Sequence, residues 1–258
     1  MDLTLDRSLA RGYKSASQIA RRVTEGWFEQ EMYCPACTSR RLERMRDNTR
    51  VVDFVCPSCG EPFQVKATAS ALGRRLRDAA YGPMIERARS NRSPHFAFLR
   101  YDRKVWRVRR LILVPGHFIT PATIERCTPL SATARRAGWV GCNILLDEIA
   151  PDGRLAVVER GRAESPAGVR KQWARFAWLA EQKDADADVR GWTLDVLRCV
   201  RSFEGRPFAS SDIYEFETHL AALHPNNNTI RDQIRKQLQI LRDRGVVRFL
   251  GNRRYVAE

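Results

Sequence analysis

The sequence predicts an α/β domain followed by a smaller domain of three helices and a β-hairpin. Helical and strand patterns alternate through residues 1–182, as in mixed α/β folds. Two Cys-x-x-Cys pairs interrupt this region, which indicates a metal-binding insertion. Residues 190–258 have the helix order and terminal hairpin of a winged-helix domain. The acidic residues 183–189 between the two regions predict a linker.

The composition indicates a polyanionic partner. The 258 residues include 45 Lys and Arg against 30 Asp and Glu, a net charge of +15. Such a charge usually serves nucleic acid or an anionic membrane, and a generally basic composition is the alternative. No apolar run approaches the length of a membrane span, and no signal-peptide pattern begins the chain. We therefore expect a cytoplasmic monomer that binds nucleic acid and no membrane.

The first half of the α/β region begins with a helix over residues 15–28, in which apolar residues recur four apart. Residues 71–90 are predicted to be helical in two pieces, because Pro83 cannot donate a backbone hydrogen bond in mid-helix. Strands are predicted over residues 95–101 and 107–114. These elements would surround the cysteine-rich insertion.

The second half of the α/β region contains longer loops. Residues 131–141 predict a loop with an exposed pair of arginines and a Trp flanked by glycines. A strand follows over residues 154–159. The spacing of large apolar residues predicts one amphipathic helix over residues 169–180.

The C-terminal region begins with a predicted helix over residues 193–203, and a second helix is capped by Ser210. The third is predicted to begin at Asn228 and to end before Gly245. Residues 246–256 alternate as a hairpin around Gly251-Asn252, a pair that tolerates positive φ. In this arrangement the third helix would enter a major groove.

The cysteine pairs are the strongest structural signal. Four thiolates in two Cys-x-x-Cys pairs 18 residues apart suit tetrahedral zinc, with no coordination position left for substrate. The predicted ligands of this structural zinc are Cys34, Cys37, Cys56 and Cys59. Four unrelated buried thiols are the alternative. The odd total of seven cysteines argues against a disulfide framework, and we expect the remaining three to be buried apolar residues.

A candidate catalytic pattern overlaps the second cysteine pair. Asp53 lies on one predicted strand, and Gln64 and Lys66 share one face of the next. An acid on one strand and an acid-x-Lys on its neighbour is how many nucleases hold a divalent metal and a water at a phosphodiester. Here the middle residue is an amide, which can ligate Mg²⁺ but brings no charge. A surface Asp and a strand-edge Lys are the alternative.

Candidate DNA contacts occur in both domains. Trp139 has glycines on both sides and follows a pair of arginines that could contact phosphates. A lone Trp is, however, more often a core residue. The third C-terminal helix has a polar stripe beside its apolar one, and two arginines follow the hairpin turn, although a solvated face would look the same. The predicted contacts are Trp139, Arg135, Arg136, Arg231, Arg235, Gln239, Arg253 and Arg254.

With these motifs the chain resembles the DpnI-type methyl-directed restriction endonucleases and the related Dam-replacing proteins. The resemblance covers nearly the whole length. It is carried by Tyr33-Cys34-Pro35-x-Cys37, by Asp53-Phe54 with Cys56-x-x-Cys59, by Lys66, by the stretch from Pro129 to Ile144, by Arg190-Gly191-Trp192-Thr193 and by Gln237 to Asp243.

The resemblance implies a PD-(D/E)XK nuclease domain with an inserted zinc site, followed by a winged helix. It implies Mg²⁺-dependent cleavage of double-stranded GATC when its adenine is N-methylated, with Asp53 and Gln64 as magnesium ligands and Trp139 against the methyl groups. The family pattern has Glu where this chain has Gln64. Weaker metal binding is therefore expected, and a methyl-adenine DNA-binding regulator with an impaired nuclease site stays open.

Overall fold

The computed structural model describes residues 1–46, 51–181 and 187–258. Residues 183–186 of the predicted linker, 183–189, lie outside these ranges. The described helices are α1 (Ala16–Glu31), α2 (Tyr81–Arg89), α3 (Pro166–Ala174), α4 (Trp178–Glu181), α5 (Ala187–Arg201), α6 (Ser210–Ile213), α7 (Glu217–Leu223) and α8 (Ile230–Asp243). None of these helices combines the length and the apolar character needed to cross a membrane.

Three sheets organise the strands of the described residues. The strands are β1 (Glu43–Arg44), β2 (Phe54–Val55), β3 (Pro62–Thr68), β4 (Arg75–Ala80), β5 (His95–Asp102), β6 (Arg107–Val114), β7 (Ile124–Arg126), β8 (Gly141–Leu145), β9 (Leu155–Glu159), β10 (Arg162–Ala163), β11 (Phe208–Ala209), β12 (Val247–Gly251) and β13 (Arg254–Ala257). Their orders are β1-β2-β3-β5-β6-β9-β10, β4-β8-β7 and β11-β13-β12.

The seven-stranded sheet is mixed. Strand β3 runs parallel to β5, while its hairpin partner β2 is antiparallel. A parallel pair needs a long crossover, and the chain between β3 and β5 supplies one that contains β4 and α2. Helix α1 buries Val23, Trp27 and Phe28 in one core with Phe54 and Phe63. The predicted first helix and the strands that became β5 and β6 are thus confirmed.

The prediction of two helical pieces over residues 71–90 is wrong. Its first part is strand β4, which pairs antiparallel with β8. Only the second part is helical, and Pro83 is the third residue of α2. In the first turn of a helix the missing N–H of proline breaks no hydrogen bond, so Pro83 marks a helix start and not an interruption.

The prediction of one helix over residues 169–180 is also wrong, because the chain breaks into α3 and α4. Phe176 N–H donates to Trp173 O, and Leu179 N–H donates to Phe176 O. These are i→i−3 bonds of 3₁₀ type. Trp173, Phe176 and Leu179 are buried and lie three residues apart, which matches the period of that tighter turn.

The C-terminal segment, residues 187–258, has the predicted order of helices and hairpin. Its second helix is divided into α6 and α7, and Thr229 rather than Asn228 precedes α8. Gly245 ends α8 with φ +67, as predicted. The hairpin turn is displaced by one residue, since Asn252 and Arg253 have φ 48 and 58. Two consecutive positive φ values are the signature of a type I′ turn.

The C-terminal segment packs against the α/β segment. One apolar cluster contains Phe176 and Trp178 together with Trp192 and Leu197. Arg190 is 1% exposed and donates to the backbone oxygens of α2 and of the loop after β6, at Ala88 (2.7 Å) and Ile119 (3.4 Å). This buried contact explains why an arginine opens the Arg-Gly-Trp-Thr motif.

Candidate functional site

The four predicted zinc ligands lie together. Their sulfur atoms are all within 4.8 Å of one another. Cys34 and Cys59 sulfurs are 3.6 Å apart, and so are those of Cys37 and Cys56. Zinc with Zn–S bonds of about 2.3 Å needs sulfur separations of about 3.8 Å in a tetrahedron. The cluster therefore fits zinc, and these four residues would hold it.

Hydrogen bonds tune the cluster and shape its second turn. Burial raises the pKa of Cys34. Burial also tends to raise the pKa of Cys56. Hydrogen bonds from the N–H groups of Cys59 and Ser58 and from neighbouring thiols outweigh burial and lower this pKa to about 6. Gly60 has φ +76 and donates its N–H to Cys56 O, which closes the turn. A thiolate is thus favoured at Cys56 near neutral pH, and thiolate is the form that binds zinc.

The cysteine cluster is tied to the main sheet. Glu61, just after the last cysteine, accepts from His95 Nε2 at 2.7 Å. The other ring nitrogen of His95 accepts the N–H of Gly116 at 2.8 Å, so Nε2 carries the proton. On the other side, Arg170 donates to the backbone oxygens of Cys34 and Ser39, each at 3.1 Å. The cluster therefore fixes the β2–β3 hairpin against β5 and α3.

The structure brings the three predicted catalytic residues into one cleft of about 450 Å³. Asp53 pairs with Phe63 through its backbone N–H, and its Oδ2 accepts the N–H of Val65 at 2.8 Å. Gln64 is 6% exposed, and its Oε1 has no hydrogen-bond partner among the described residues. A carboxylate and a buried, unsatisfied amide oxygen in one cleft suit a hard cation such as Mg²⁺. Asp53 and Gln64 would hold it.

The same cleft contains Glu25 of α1, which is largely buried. Arg21 donates to its Oε1 at 2.6 Å, and Arg44 donates to its Oε2 at 2.5 Å. Arg21 shares the helix with Glu25 at an i, i+4 spacing, but the contact from Arg44 joins β1 to α1 and has no sequence signal. The carboxylate of Glu25 is therefore already paired with two cations.

Sequence reasoning missed Asp78. Its side chain is fully buried, and its Oδ1 lies 2.5 Å from Nζ of Lys66. Burial raises the pKa of the Cys142 thiol to about 12, and the negative charge of Asp78 adds to the shift. No sequence pattern indicates this contact, because a helix over residues 71–90 would not pair Asp78 with a neighbouring strand.

Trp139 is half-buried and lies outside the apolar core of the described residues. One end of its indole packs on Gly141, where an added Cβ would lie 2.8 Å from the ring. The guanidinium of Arg136 lies 4.6 Å from the ring centroid, and Arg135 is exposed. Gly138 has φ +77, a conformation that suits glycine at this turn. The loop thus presents an aromatic ring beside two arginines.

The predicted stripe on α8 faces solvent, with Arg231, Arg235 and Gln239 exposed. Tyr214, which sequence reasoning missed, organises it: its hydroxyl accepts from Arg235 Nε at 2.8 Å, and Arg231 lies 5.3 Å from its ring centroid. A groove of about 610 Å³ is lined by Arg235, Gln239 and Arg253, among others. Arg254 is exposed on β13 outside this lining.

An exposed arginine face on a helix-turn-helix unit, joined to an α/β segment with a cysteine cluster, indicates a DNA-binding protein that could carry zinc. Residues 1–182 match the DpnI family, described as the Dam-replacing family, and residues 188–256 match the Dam-replacing HTH domain. The chain belongs to this DpnI-type family, as the resemblance predicted. The family is one of methyl-dependent DNA binding and restriction and is known for endonuclease activity.

A further similarity is shorter. The chain is similar to Transcription factor E of Ignicoccus hospitalis, with 37% identity over 62 residues. The match covers 24% of this chain and 34% of that protein. The chain therefore spans about a third of the length of this relative.

Proposed function

We propose that the protein is a restriction endonuclease that cleaves double-stranded DNA at GATC sites with N-methylated adenine. In this proposal residues 1–182 form a PD-(D/E)XK nuclease domain, and residues 190–258 form a winged-helix domain. The observation that carries the proposal is the meeting of Asp53, Gln64 and Lys66 in one cleft, at the end of a hairpin that the cysteine cluster holds. Membership of the DpnI-type family supplies the class of substrate.

The chain's own residues suggest how a phosphodiester would be cleaved. Asp53, directly before β2, and Gln64, on β3, would provide oxygen ligands, and the hydrogen bond from Val65 fixes the carboxylate. Bound Mg²⁺ would supply neutralisation of the phosphate charge. Lys66, which is 28% exposed in the same cleft, would orient the attacking water and stabilise the developing negative charge. The expected products are a 5′-phosphate and a 3′-hydroxyl.

Methyl recognition is assigned to Trp139. A methyl group offers only dispersion and apolar contact, and an indole provides a large apolar surface for both. Arg135 and Arg136 beside it would contact phosphates and set the register of the duplex. The side chain of Arg136 must leave the indole face before that face can meet a methyl group, because it covers the ring in the free protein.

The winged-helix domain would provide a second reader of the site. Arg235 and Gln239 on α8 and Arg253 in the hairpin turn line one groove, so that helix and wing could contact the same duplex. Arg231 and Arg254 would add phosphate contacts at its margins.

A methyl-adenine DNA-binding regulator is the second candidate. The neutral amide of Gln64 favours it, because a missing carboxylate weakens the affinity for a divalent metal. In that case DNA would be bound at the same surfaces and left intact.

One incubation separates the two candidates. The purified protein is mixed with methylated or unmethylated GATC plasmid and Mg²⁺, and products are resolved on an agarose gel. We expect cutting of the methylated plasmid alone and no cutting by Asp53→Ala. Methylated plasmid that is retarded but uncut would support the regulator instead. Equal cutting of both plasmids would exclude the proposed methyl dependence.

A further inference from the structure

Asp78 is a buried charge beside the candidate catalytic site. Its side chain is 0% exposed, whereas that of Lys66 is 28% exposed. The two charged atoms are 2.5 Å apart, and neither carboxylate oxygen accepts a hydrogen bond from any other described group. A carboxylate removed from water is costly unless a counter-charge compensates it. Lys66 is therefore the group that balances the charge of Asp78.

The pairing of β4 is irregular around Asp78. The pairing of β4 with β8 shifts in register between Arg77, opposite Asn143, and Ala80, opposite Gly141. Asp78 lies within this irregular stretch. Bulges bend a strand and redirect its side chains, and they are frequent next to active sites. The thiol of Cys142 donates to the oxygen of Ala79, at 3.4 Å, and so helps to hold the bulged strand against β8.

The other carboxylates near the cleft already have partners. Glu25 is paired with Arg21 and Arg44, and Asp53 accepts the N–H of Val65. Residue 64 is an amide and offers Lys66 no negative charge. Among the residues that the structure describes around the cleft, Asp78 is the carboxylate that meets the ammonium of Lys66.

We infer that Asp78 is a positioning residue, which holds the ammonium group of Lys66 at the point where the scissile phosphate would lie. Asp78 acts through Lys66, because its own side chain is out of reach of solvent. The inference rests on the proposed nuclease function for its catalytic meaning, whereas the ion pair itself can be tested without catalysis. A lysine has four rotatable bonds, so a fixed counter-charge reduces the number of positions that its ammonium occupies.

The first experiment measures single-turnover cleavage of a methylated GATC duplex and, separately, the Kd for that duplex with Ca²⁺ in place of Mg²⁺. Asp78→Asn keeps the shape of the side chain and removes its charge. We expect the cleavage rate to fall about 10- to 100-fold, as for a misplaced catalytic group, with the Kd unchanged. Asp147→Asn is the matched control, because Asp147 pairs with Arg74 on the surface near the start of β4 and should leave the rate unchanged.

The second experiment needs no activity and uses thermal unfolding of four proteins: wild type, Lys66→Met, Asp78→Asn and the double variant. Lys66→Met leaves the buried carboxylate uncompensated, so the Tm should fall clearly. Adding Asp78→Asn to Lys66→Met should restore part of the lost Tm, because the buried charge is then gone. In the wild-type background the same Asp78→Asn change should lower the Tm.

The outcomes are distinguishable. If Asp78→Asn lowers the Tm equally in both backgrounds, the two residues are uncoupled and the inference is overturned. If the Asp78→Asn variant cuts the methylated duplex at the wild-type rate, Asp78 does not position Lys66. A wild-type protein that does not cut methylated DNA contradicts the proposed function, while the unfolding experiment still decides whether the ion pair exists.

Discussion

Among single residues, Gln64 bears most directly on how strongly the cleft would bind a divalent metal. Its oxygen is buried beside Asp53 and has no partner among the described residues. The structure thus leaves an acceptor available for a cation where the family pattern has a carboxylate. Glutamine and glutamate differ here by one unit of negative charge. This difference should change the affinity for a metal ion more than it changes the fold.

Gln64→Glu should lower the Mg²⁺ concentration for half-maximal cleavage by about tenfold, because an added ligand charge strengthens binding of a hard cation. The measurement is the cleavage rate of a methylated plasmid across a Mg²⁺ titration. Gln30→Glu is the control, since Gln30 is exposed at the end of α1. An unchanged titration would show that residue 64 is not a metal ligand.

Trp139→Ala should reduce the ratio of cleavage rates on methylated and unmethylated duplexes, because the apolar surface for the methyl group is lost. Trp139→Phe should retain part of the ratio. Trp106→Ala serves as the control, because Trp106 is another half-buried Trp, in the turn between β5 and β6. A Trp139→Ala protein that fails to fold would mean that Trp139 is a core residue after all.

Among the elements, the cysteine cluster supports the hairpin next to the candidate catalytic residues. Its second pair, Cys56 and Cys59, lies in the turn between β2 and β3, and the sulfur atoms of the first pair lie within 4.8 Å of those of the second. Asp53 directly precedes β2. Removal of zinc should therefore disorder the hairpin and abolish cleavage, since structural zinc contributes about 10–16 kcal/mol in small zinc-binding peptides.

Cys37→Ser should lose bound zinc, lower the Tm and abolish cleavage. Metal content by atomic emission, unfolding temperature and plasmid cleavage measure the three effects. Cys127→Ser, at a half-buried cysteine outside the cluster, should change none of them. Full activity of zinc-free protein would contradict the assigned role of the cluster.

Helix α8 is the element assigned to the duplex. Arg235→Ala should weaken DNA binding and reduce the slope of log K against log salt by about 1, as for one lost phosphate contact. A loss confined to methylated GATC, with an unchanged slope, would instead mean that Arg235 reads a base. Arg103→Ala is the control, because it removes the same charge from an exposed arginine outside α8, in the turn between β5 and β6.

The sequence predicted those elements whose patterns are local. Local patterns are enough to predict the cysteine cluster, β6 and α8. These patterns are the two closely spaced cysteine pairs, the apolar run of β6 and the apolar stripe of α8. Strand β4 could not be predicted, because Arg-Leu-Arg-Asp-Ala-Ala contains good helix formers and no alternation. It is a strand because β8 pairs with it, and such tertiary pairing overrides local propensity. Asp78 was missed for this reason, and Tyr214 and Arg44 were missed because contacts between elements have no sequence period.

At the scale of the whole molecule, the C-terminal segment is docked on the α/β segment. Arg201 and Asp152 form a two-bond ion pair across the interface, with distances of 2.8 and 2.6 Å, and Arg198 pairs with Glu148. The guanidinium of Arg244 lies 4.8 Å from the ring centroid of Trp178. The two proposed DNA-reading surfaces, held in one body, would act at a fixed separation, whereas a flexible tether would allow many separations.

Asp152→Ala should loosen this docking, because it leaves the largely buried Arg201 without its counter-charge, at a cost on the order of 3 kcal/mol. Calorimetry should then show two unfolding transitions in place of one. Asp102→Ala, which removes a more exposed partner of Arg109, is the control. A single unshifted transition in Asp152→Ala would mean that the ion pair does not hold the two segments together.

The proposed function depends most on one property, the cleavage of GATC only where its adenine carries a methyl group. The most direct measurement uses two synthetic duplexes that are identical except for N-methylation of the adenines in one GATC site, under single-turnover conditions with Mg²⁺. We expect cleavage of the methylated duplex at a rate at least about 100-fold above that of its unmethylated twin, as for a contact of some 2–3 kcal/mol. Equal rates on the two duplexes, or binding without cleavage of either, would contradict it.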